Sequence, residues 1–380
     1  MKTEELRNPE VIRGLLKKIS EKTHILPRTP VRIMEVCGTH TMVIHKFGLR
    51  ELLLQAGIEM LSGPGCPVCI TPNEFHQAAI SLVTNEANII LSTFGDMTRV
   101  PTPSGSIQTA IPHRNSKVRV VYSPFESLNS ARNKPDKEFV FFGVGFETTI
   151  PGIAMTIKKA VQERINNFSV LSAFWLIPPP LRTIVESGET NIHGFLYPGH
   201  VSAIIGIKPY KFMASEFGLP GVITGFEPAD VLLSILSLLE LLKENRAEVV
   251  NGYSRVVCPE GNPQALSLME EMLEVKDAAW RGLGLIPKSG LRLKKKYQDF
   301  DAEKKFQLKL QGDKNDLPGC RCGDVLRGVL SPPQCSLFGE TCKPSSPYGP
   351  CMVSFEGACL AFYKYSHRNL LNQESRQGEE

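Results

Sequence analysis

The chain is predicted to be an α/β protein with two parallel-sheet domains flanking a central cleft. Three observations carry the fold class. VRIMEV (31–36), IEML (58–61), NIILST (88–93) and VRVVYS (118–123) are short apolar runs separated by helix-patterned segments. FVFFGV (139–144), SVLSAFWLI (169–177), SAIIGI (202–207) and GVITG (221–225) repeat the scheme. Apolar strands that alternate with helices form parallel sheets covered on both faces. Third, strands run into similar turns, Gly145-Phe146-Glu147 and Gly225-Phe226-Glu227, each followed by a helical pattern. The division expected is an N-terminal helix (1–30) packed on the C-terminal region, domain I (31–128), domain II (129–250) and a C-terminal domain (251–380).

Local signals support the elements in turn. Residues 1–22 mix Glu, Arg and Lys with apolar positions, as in an amphipathic helix rather than a leader. Thr71-Pro72-Asn73-Glu74 reads as a capping box that starts a helix just after Cys69, and Ser123-Pro124-Phe125-Glu126 repeats it. Val231–Leu242 is the most apolar run. It falls short of the roughly twenty residues of a membrane span, which predicts a buried helix. Beyond about residue 250 the rhythm fades into one helix (263–275), a basic stretch at 291–297 read as a solvated surface, and a Cys-, Gly- and Pro-rich segment. Such a segment buries little apolar surface and needs a staple, which a metal supplies.

Composition narrows the function. Hydrophobic residues at 42% and charged residues at 22% describe an ordinary globular protein, and a net charge of +4 is too small to argue for nucleic acid. With neither a targeting segment nor a membrane span in view, a cytoplasmic location is expected. Ten cysteines in a reducing compartment point to metal binding or redox chemistry rather than structural disulfides.

Cys320, Cys335, Cys342 and Cys359 are spaced C-x14-C-x6-C-x16-C, with Cys322 and Cys351 interleaved. Four thiolates suit zinc or an iron–sulfur cluster; the absence of short C-x2-C knuckles favours the cluster. The two further thiols are candidates for a redox pair. Cys66-Pro67-Val68-Cys69, between a strand and a helix, is a thiol–disulfide or soft-metal motif, preceded by Gly63-Pro64-Gly65 in a tight turn. Cys37 and His40 in CGTHT can face one point, although His40, like His200 in PGHV, also fits a hydrogen-bonded structural role. Glu147 and Glu227 are equally readable as carboxylates at helix N-termini, and Cys258 is read as packing. In open α/β sheets ligands gather at the carboxyl ends of strands, where both GFE turns, CGTHT and GPGCPVC are expected to lie, while His200 precedes a strand.

Taken in order, CGTHT, GPGCPVCITP, GFETT, PGHVS, GFEP, PEGNP, CRCGDVLRG and SFEGACLAFYKY resemble the HypD family of NiFe hydrogenase maturation proteins, from about residue 10 to 366. The resemblance implies one 4Fe–4S cluster on Cys320, Cys335, Cys342 and Cys359, with Cys322 and Cys351 as a redox-active pair similar to that of ferredoxin–thioredoxin reductase. It implies a complex with the small protein HypC, on which an iron atom receives two cyanides and one carbon monoxide. HypE, with HypF, supplies the cyanide, and the Fe(CN)2CO group passes to the hydrogenase large subunit. Cys37 matches the family's iron-binding cysteine, with His40 beside it, and Cys66 and Cys69 match the dithiol of the cleft. Glu147, Thr148, Thr149, His200 and Glu227 are expected around the bound iron unit. Two other readings compete: an iron–sulfur thiol–disulfide oxidoreductase acting alone, and a zinc-stapled interaction protein.

Overall fold

The computed structural model describes residues 5–27, 29–86, 88–111, 117–310 and 317–365. Among these, the strands are β1 (Val31–Glu35), β2 (Ile58–Ser62), β3 (Ile89–Thr93), β4 (Val118–Val120), β5 (Glu138–Gly145), β6 (Phe168–Trp175), β7 (Gly194–Pro198), β8 (Gly221–Thr224), β9 (Val249–Asn251), β10 (Leu273–Trp280) and β11 (Gly284–Leu293). The first sheet has the order β2-β1-β7-β8-β9, with every pair parallel. The second has the order β10-β11-β6-β5-β3-β4, parallel from β4 to β6 and antiparallel through β11 and β10. The α/β class stands, with one parallel and one mixed sheet.

The sheets do not follow the division at residues 128 and 129. After β2 the chain leaves the first sheet, builds β3 to β6 in the second, and returns at β7, which pairs with β1 through Ile33↔Gly194. A boundary at 128 would cut the direct pairing of β3 with β5. Apolar runs report that a strand is buried and carry nothing about which neighbour it finds.

Other expectations need correction. SAIIGI (202–207) is not a strand: residues Gly199–Ile205 are a helix, ended at Gly206 with φ +72°. The strand is the preceding β7, and a short apolar run bounded by glycines fits either element. Thr71 does not cap the helix Asn73–Asn85, which starts from Pro72 without a side-chain cap; it ends the preceding turn Pro67–Ile70, its hydroxyl donating to the Pro67 carbonyl at 2.7 Å. The capping box at Ser123 and Glu126 does form. The helix expected at 263–275 stops at Met272, because Leu273 opens the β10–β11 hairpin that extends the second sheet.

The N-terminal helix Pro9–Thr23 packs on the helix Pro228–Lys243, not on the C-terminal region. Leu15 and Ile19 join Leu232, Ile235 and Leu239 in one core, and the ion pairs Arg7–Glu227 and Lys22–Glu240 flank it. Helix Pro228–Lys243 contains the apolar run Val231–Leu242 and is largely buried, as expected. No helix among the described residues is long and apolar enough to cross a membrane. Instead of the N-terminal helix, Gly38–Lys46 is the partner of the C-terminal helix Ala358–Tyr365. Cys258 is exposed, not packed: it lies in the connection from β9, where its carbonyl accepts the Gly261 N–H at 3.0 Å.

Candidate thiol site at the strand ends

The first sheet changes direction between β1 and β7, since β1 runs on to β2 at one side and β7 to β8 at the other. Crevices open beyond the carboxyl ends of strands at such points. Cys37 follows the end of β1 by two residues, and His200 follows the end of β7 by two. Their side chains meet there: the Cys37 Sγ lies 3.8 Å from Nδ1 and 3.9 Å from Nε2 of His200. His40, in the first turn of the next helix, reaches the end of β8, with Nε2 3.1 Å from the Gly225 carbonyl oxygen. That contact makes Nε2 the protonated nitrogen and leaves Nδ1 a buried acceptor without a partner. Both imidazoles stack on Phe226, at 5.0 Å for His40 and 5.1 Å for His200. Phe226, quoted in the sequence only as part of GFEP, therefore holds the two rings.

Glycines let the two cysteine loops touch. A Cβ on Gly65 would stand 2.2 Å from the Cys37 nitrogen, and the Gly38 N–H donates to the Gly65 carbonyl at 3.1 Å. Cys66 and Cys69 form a disulfide, both buried, across the single turn Pro67–Ile70. The disulfide thus sits in the loop that packs on Cys37.

Two carboxyl groups frame the loop, and neither was singled out from the sequence. Glu35 lies beneath it, accepting the Cys37 N–H at 2.9 Å and the Thr41 hydroxyl; burial pushes its carboxyl up to about 8. Glu356 lies above it, accepting the Thr39 hydroxyl at 3.1 Å and packing so closely on Gly38 that a Cβ there would come within 2.3 Å of its own. Burial also raises Glu356. The Cys37 thiol is pushed well up, first by burial and then by the Glu356 charge. Burial lowers His40 to about 3 and His200 to about 4. At neutral pH the site is therefore a neutral thiol between neutral imidazoles, and a cation bound there would displace the thiol proton.

The second sheet reverses between β3 and β5. Glu147, two residues past β5, is buried, accepts the Ile177 N–H at 3.1 Å, and is raised to about 8 by desolvation. Past β3, Asp96 accepts the Phe355 N–H at 3.3 Å, and Arg99 donates to the Val353 carbonyl at 3.1 Å. Residues 353–356 therefore join the strand ends of both sheets. The buried Tyr210 phenol, also missed from sequence, is pushed well up, first by burial and then by Glu147, with Cys37 a smaller influence. Thr148 and Thr149 occupy the turn after β5, with the Thr149 N–H on the Phe146 carbonyl at 2.9 Å, and make no hydrogen bond to Cys37, His40 or His200. Glu227 is taken up by Arg7 at the rim.

Cys320, Cys322, Cys335, Cys342 and Cys359 line one cavity with Leu337 and Phe338. Gly349 leaves room beside it: a Cβ there would come within 2.6 Å of the Cys320 Sγ and 2.7 Å of the Cys322 Sγ. The Tyr348 N–H donates to the Cys342 Sγ at 3.3 Å. Cys351 lies behind the cavity, its thiol hydrogen-bonded with Cys322 and Cys359; these contacts pull Cys359 down to about 6 and push Cys351 up. No three of the described His, Cys, Asp and Glu side chains are arranged to hold a single metal ion. Thiols spread round a cavity with apolar walls are the donor set a polynuclear iron–sulfur cluster takes, and the residues fit that group. The turn Pro350–Met352, which carries Cys351, touches the turn Pro67–Ile70, which carries Cys69.

Fold and site together define a two-sheet α/β protein with a thiol–imidazole site at a strand-order reversal, a disulfide beside it, and a cysteine-lined cavity behind. Residues 10–366 match the HypD profile, described as the hydrogenase formation hypA family. The chain is 44% identical to the hydrogenase maturation factor HypD2 of Bradyrhizobium diazoefficiens, over 95% of this chain and 96% of the relative. Identity is 42% to HypD of Escherichia coli K12 (95% and 97% covered) and 41% to HypD of Rhodobacter capsulatus (95% and 97%). The chain belongs to the HypD family of hydrogenase maturation factors.

Proposed function

We propose that this chain, together with a small HypC-type partner, holds the iron atom while cyanide and carbon monoxide are attached, before the Fe(CN)2CO group passes to a hydrogenase large subunit. One observation carries the reading: Cys37 and His200 meet at the reversal point of the first sheet. Low-spin iron with cyanide and CO ligands favours thiolate donors, and Cys37 offers one. A partner thiolate would supply another. The bare Nδ1 of His40, with Nε2 bonded to a backbone carbonyl, is the tautomer that a metal-binding imidazole uses. Glu147, raised by burial and therefore protonated at neutral pH, is an O–H donor suited to a bound cyanide.

Cys320, Cys335, Cys342 and Cys359 would hold a 4Fe–4S cluster, which supplies single electrons when bound. The Cys66–Cys69 disulfide accepts two electrons and two protons to become a dithiol. Cys322 lines the cavity, and Cys351, hydrogen-bonded with it, is carried on the turn that touches that disulfide's turn. HypE, charged by HypF, would deliver cyanide. A second reading, an iron–sulfur thiol–disulfide oxidoreductase acting without cargo, draws on the same disulfide. Iron analysis of the anaerobically purified partner complex separates the two. The scaffold reading expects iron beyond that of a cluster, lost in Cys37→Ser, whereas an oxidoreductase carries no such excess and reduces a disulfide substrate unaided. Glu147→Ala should weaken or shift the iron–cyanide infrared bands; unchanged bands remove Glu147 from the site.

A further inference from the structure

A polar cavity of about 260 Å³ lies away from the thiol site, where the free edge of the first sheet meets the C-terminal region. Among the described residues, strand β2 has no strand neighbour on its outer side, and Met60 to Ser62 form one wall; residues Val325 to Gln334 form another. Its charged side chains differ in how directly they are paired. Glu59 is paired with Arg32 at 2.7 Å, and Glu189 with Arg327 at 2.7 Å. Arg50 has no such partner: its guanidinium lies 4.9 Å from the centre of the Phe362 ring and makes no hydrogen bond or ion pair with any described residue. The guanidinium lies over the ring at the cavity wall, and its N–H fork remains available as a donor. Gln334 uses its side-chain oxygen on the Ser331 N–H at 2.7 Å, which leaves its amide N–H groups as further donors.

We propose that this cavity binds a carboxylate carrying a single negative charge, held through the Arg50 fork beside the Gln334 amide. One guanidinium without a direct ion-pair partner, with Glu51 and Glu59 acting on it only at longer range, leaves room for no more than one anionic charge, and the planar fork matches a planar carboxylate. The volume suits a small acid or one chain end rather than a nucleotide. Phosphate, with more charge than Arg50 balances, fits less well. The site also lies close to the iron-binding loop. Ser62 lines the cavity and hydrogen-bonds Glu35, whose carboxyl accepts the Cys37 N–H. The binding proposal does not depend on the function of that loop.

The test uses the full chain and propionate, followed by calorimetry or saturation-transfer NMR. Saturable 1:1 binding is expected, weakened about tenfold or more in Arg50→Met, which keeps an apolar stem on Phe362. Arg292→Met, on the far hairpin, should bind as the parent does. If Arg50→Met does not fold, Arg50→Lys carries the test: it keeps the charge, loses the fork and should bind measurably more weakly. An acetylated dipeptide with a free C-terminal carboxylate, run alongside, identifies the source. Tighter binding than propionate assigns the cavity to a chain end, and equal or weaker binding to a free acid. Absent binding, binding unchanged in both Arg50 variants, or inorganic phosphate binding more tightly than propionate each overturns the proposal.

Discussion

At the scale of single residues the site is a set of ionisable groups kept neutral by burial. Glu35 and Glu147 are raised from 4.5 to about 8, so the folded chain holds their protons more tightly than the unfolded chain does. Their contribution to stability is full below pH 4.5 and is lost as pH rises toward 8. His40 and His200 act in the opposite sense: lowered from 6.5 to about 3 and about 4, they contribute fully above pH 6.5 and lose that contribution as pH falls. Thermal melts across pH should therefore fall on both sides. Glu147→Gln should flatten the limb between about pH 4.5 and 8 while leaving the acid limb in place; an unchanged alkaline limb would show that Glu147 is ionised in the folded chain. Cys37, His40, Cys66, Cys69 and Glu147 stand out in the sequence because thiols, imidazoles and carboxylates in Gly-rich turns are unusual there. Glu35 and Glu356 do not. A buried carboxyl in a strand end or a Cys-rich loop looks like any surface acid until its neighbours in space are known.

At the scale of elements, close backbone approach rather than helix propensity holds the loops together. Gly65→Ala must push the Cys37 backbone aside and should destabilise the chain by about 2 kcal/mol or more in urea titrations. Gly14→Ala meets nothing within 4 Å in the helix Pro9–Thr23 and should stabilise it by about 0.5–1 kcal/mol. Equal effects of the two changes would refute the packing described for GPGC on CGTHT. Most strands were legible as apolar runs, since a strand buried on both faces has little choice of composition. β7 was not, because GFLYP is short, ends in proline and is followed by a more apolar helix. The β10–β11 hairpin was hidden by exposed polar positions and by the Pro and Gly residues of β11.

At the scale of the whole molecule, the chain crosses from the first sheet to the second and back, which brings residues distant in sequence to one place. Cys37, His200 and Glu356 meet only because β7 returns beside β1 and residues 353–356 lie across the strand ends. Pairing order is decided by such long-range returns, and a single sequence carries little of it. Exposure orders the thiols in the same way. Cys258 is exposed, while Cys37, Cys322, Cys351 and Cys359 are buried and Cys66 and Cys69 are oxidised. Iodoacetamide applied to the folded, anaerobic protein should label Cys258 first. Cys66 and Cys69 should be labelled only after reduction and unfolding, as peptide mass spectrometry will show; early labelling at Cys66 or Cys69 would contradict a buried disulfide.

The proposed function turns on Cys37 as the anchor of an iron unit at the reversal point of the first sheet. Infrared spectroscopy of the chain copurified anaerobically with its HypC-type partner tests it most directly. Cyanide and carbon monoxide stretching bands are expected in the parent complex and are expected to be lost in Cys37→Ser, with the complex still formed. Bands of undiminished strength in the Cys37→Ser complex would contradict it.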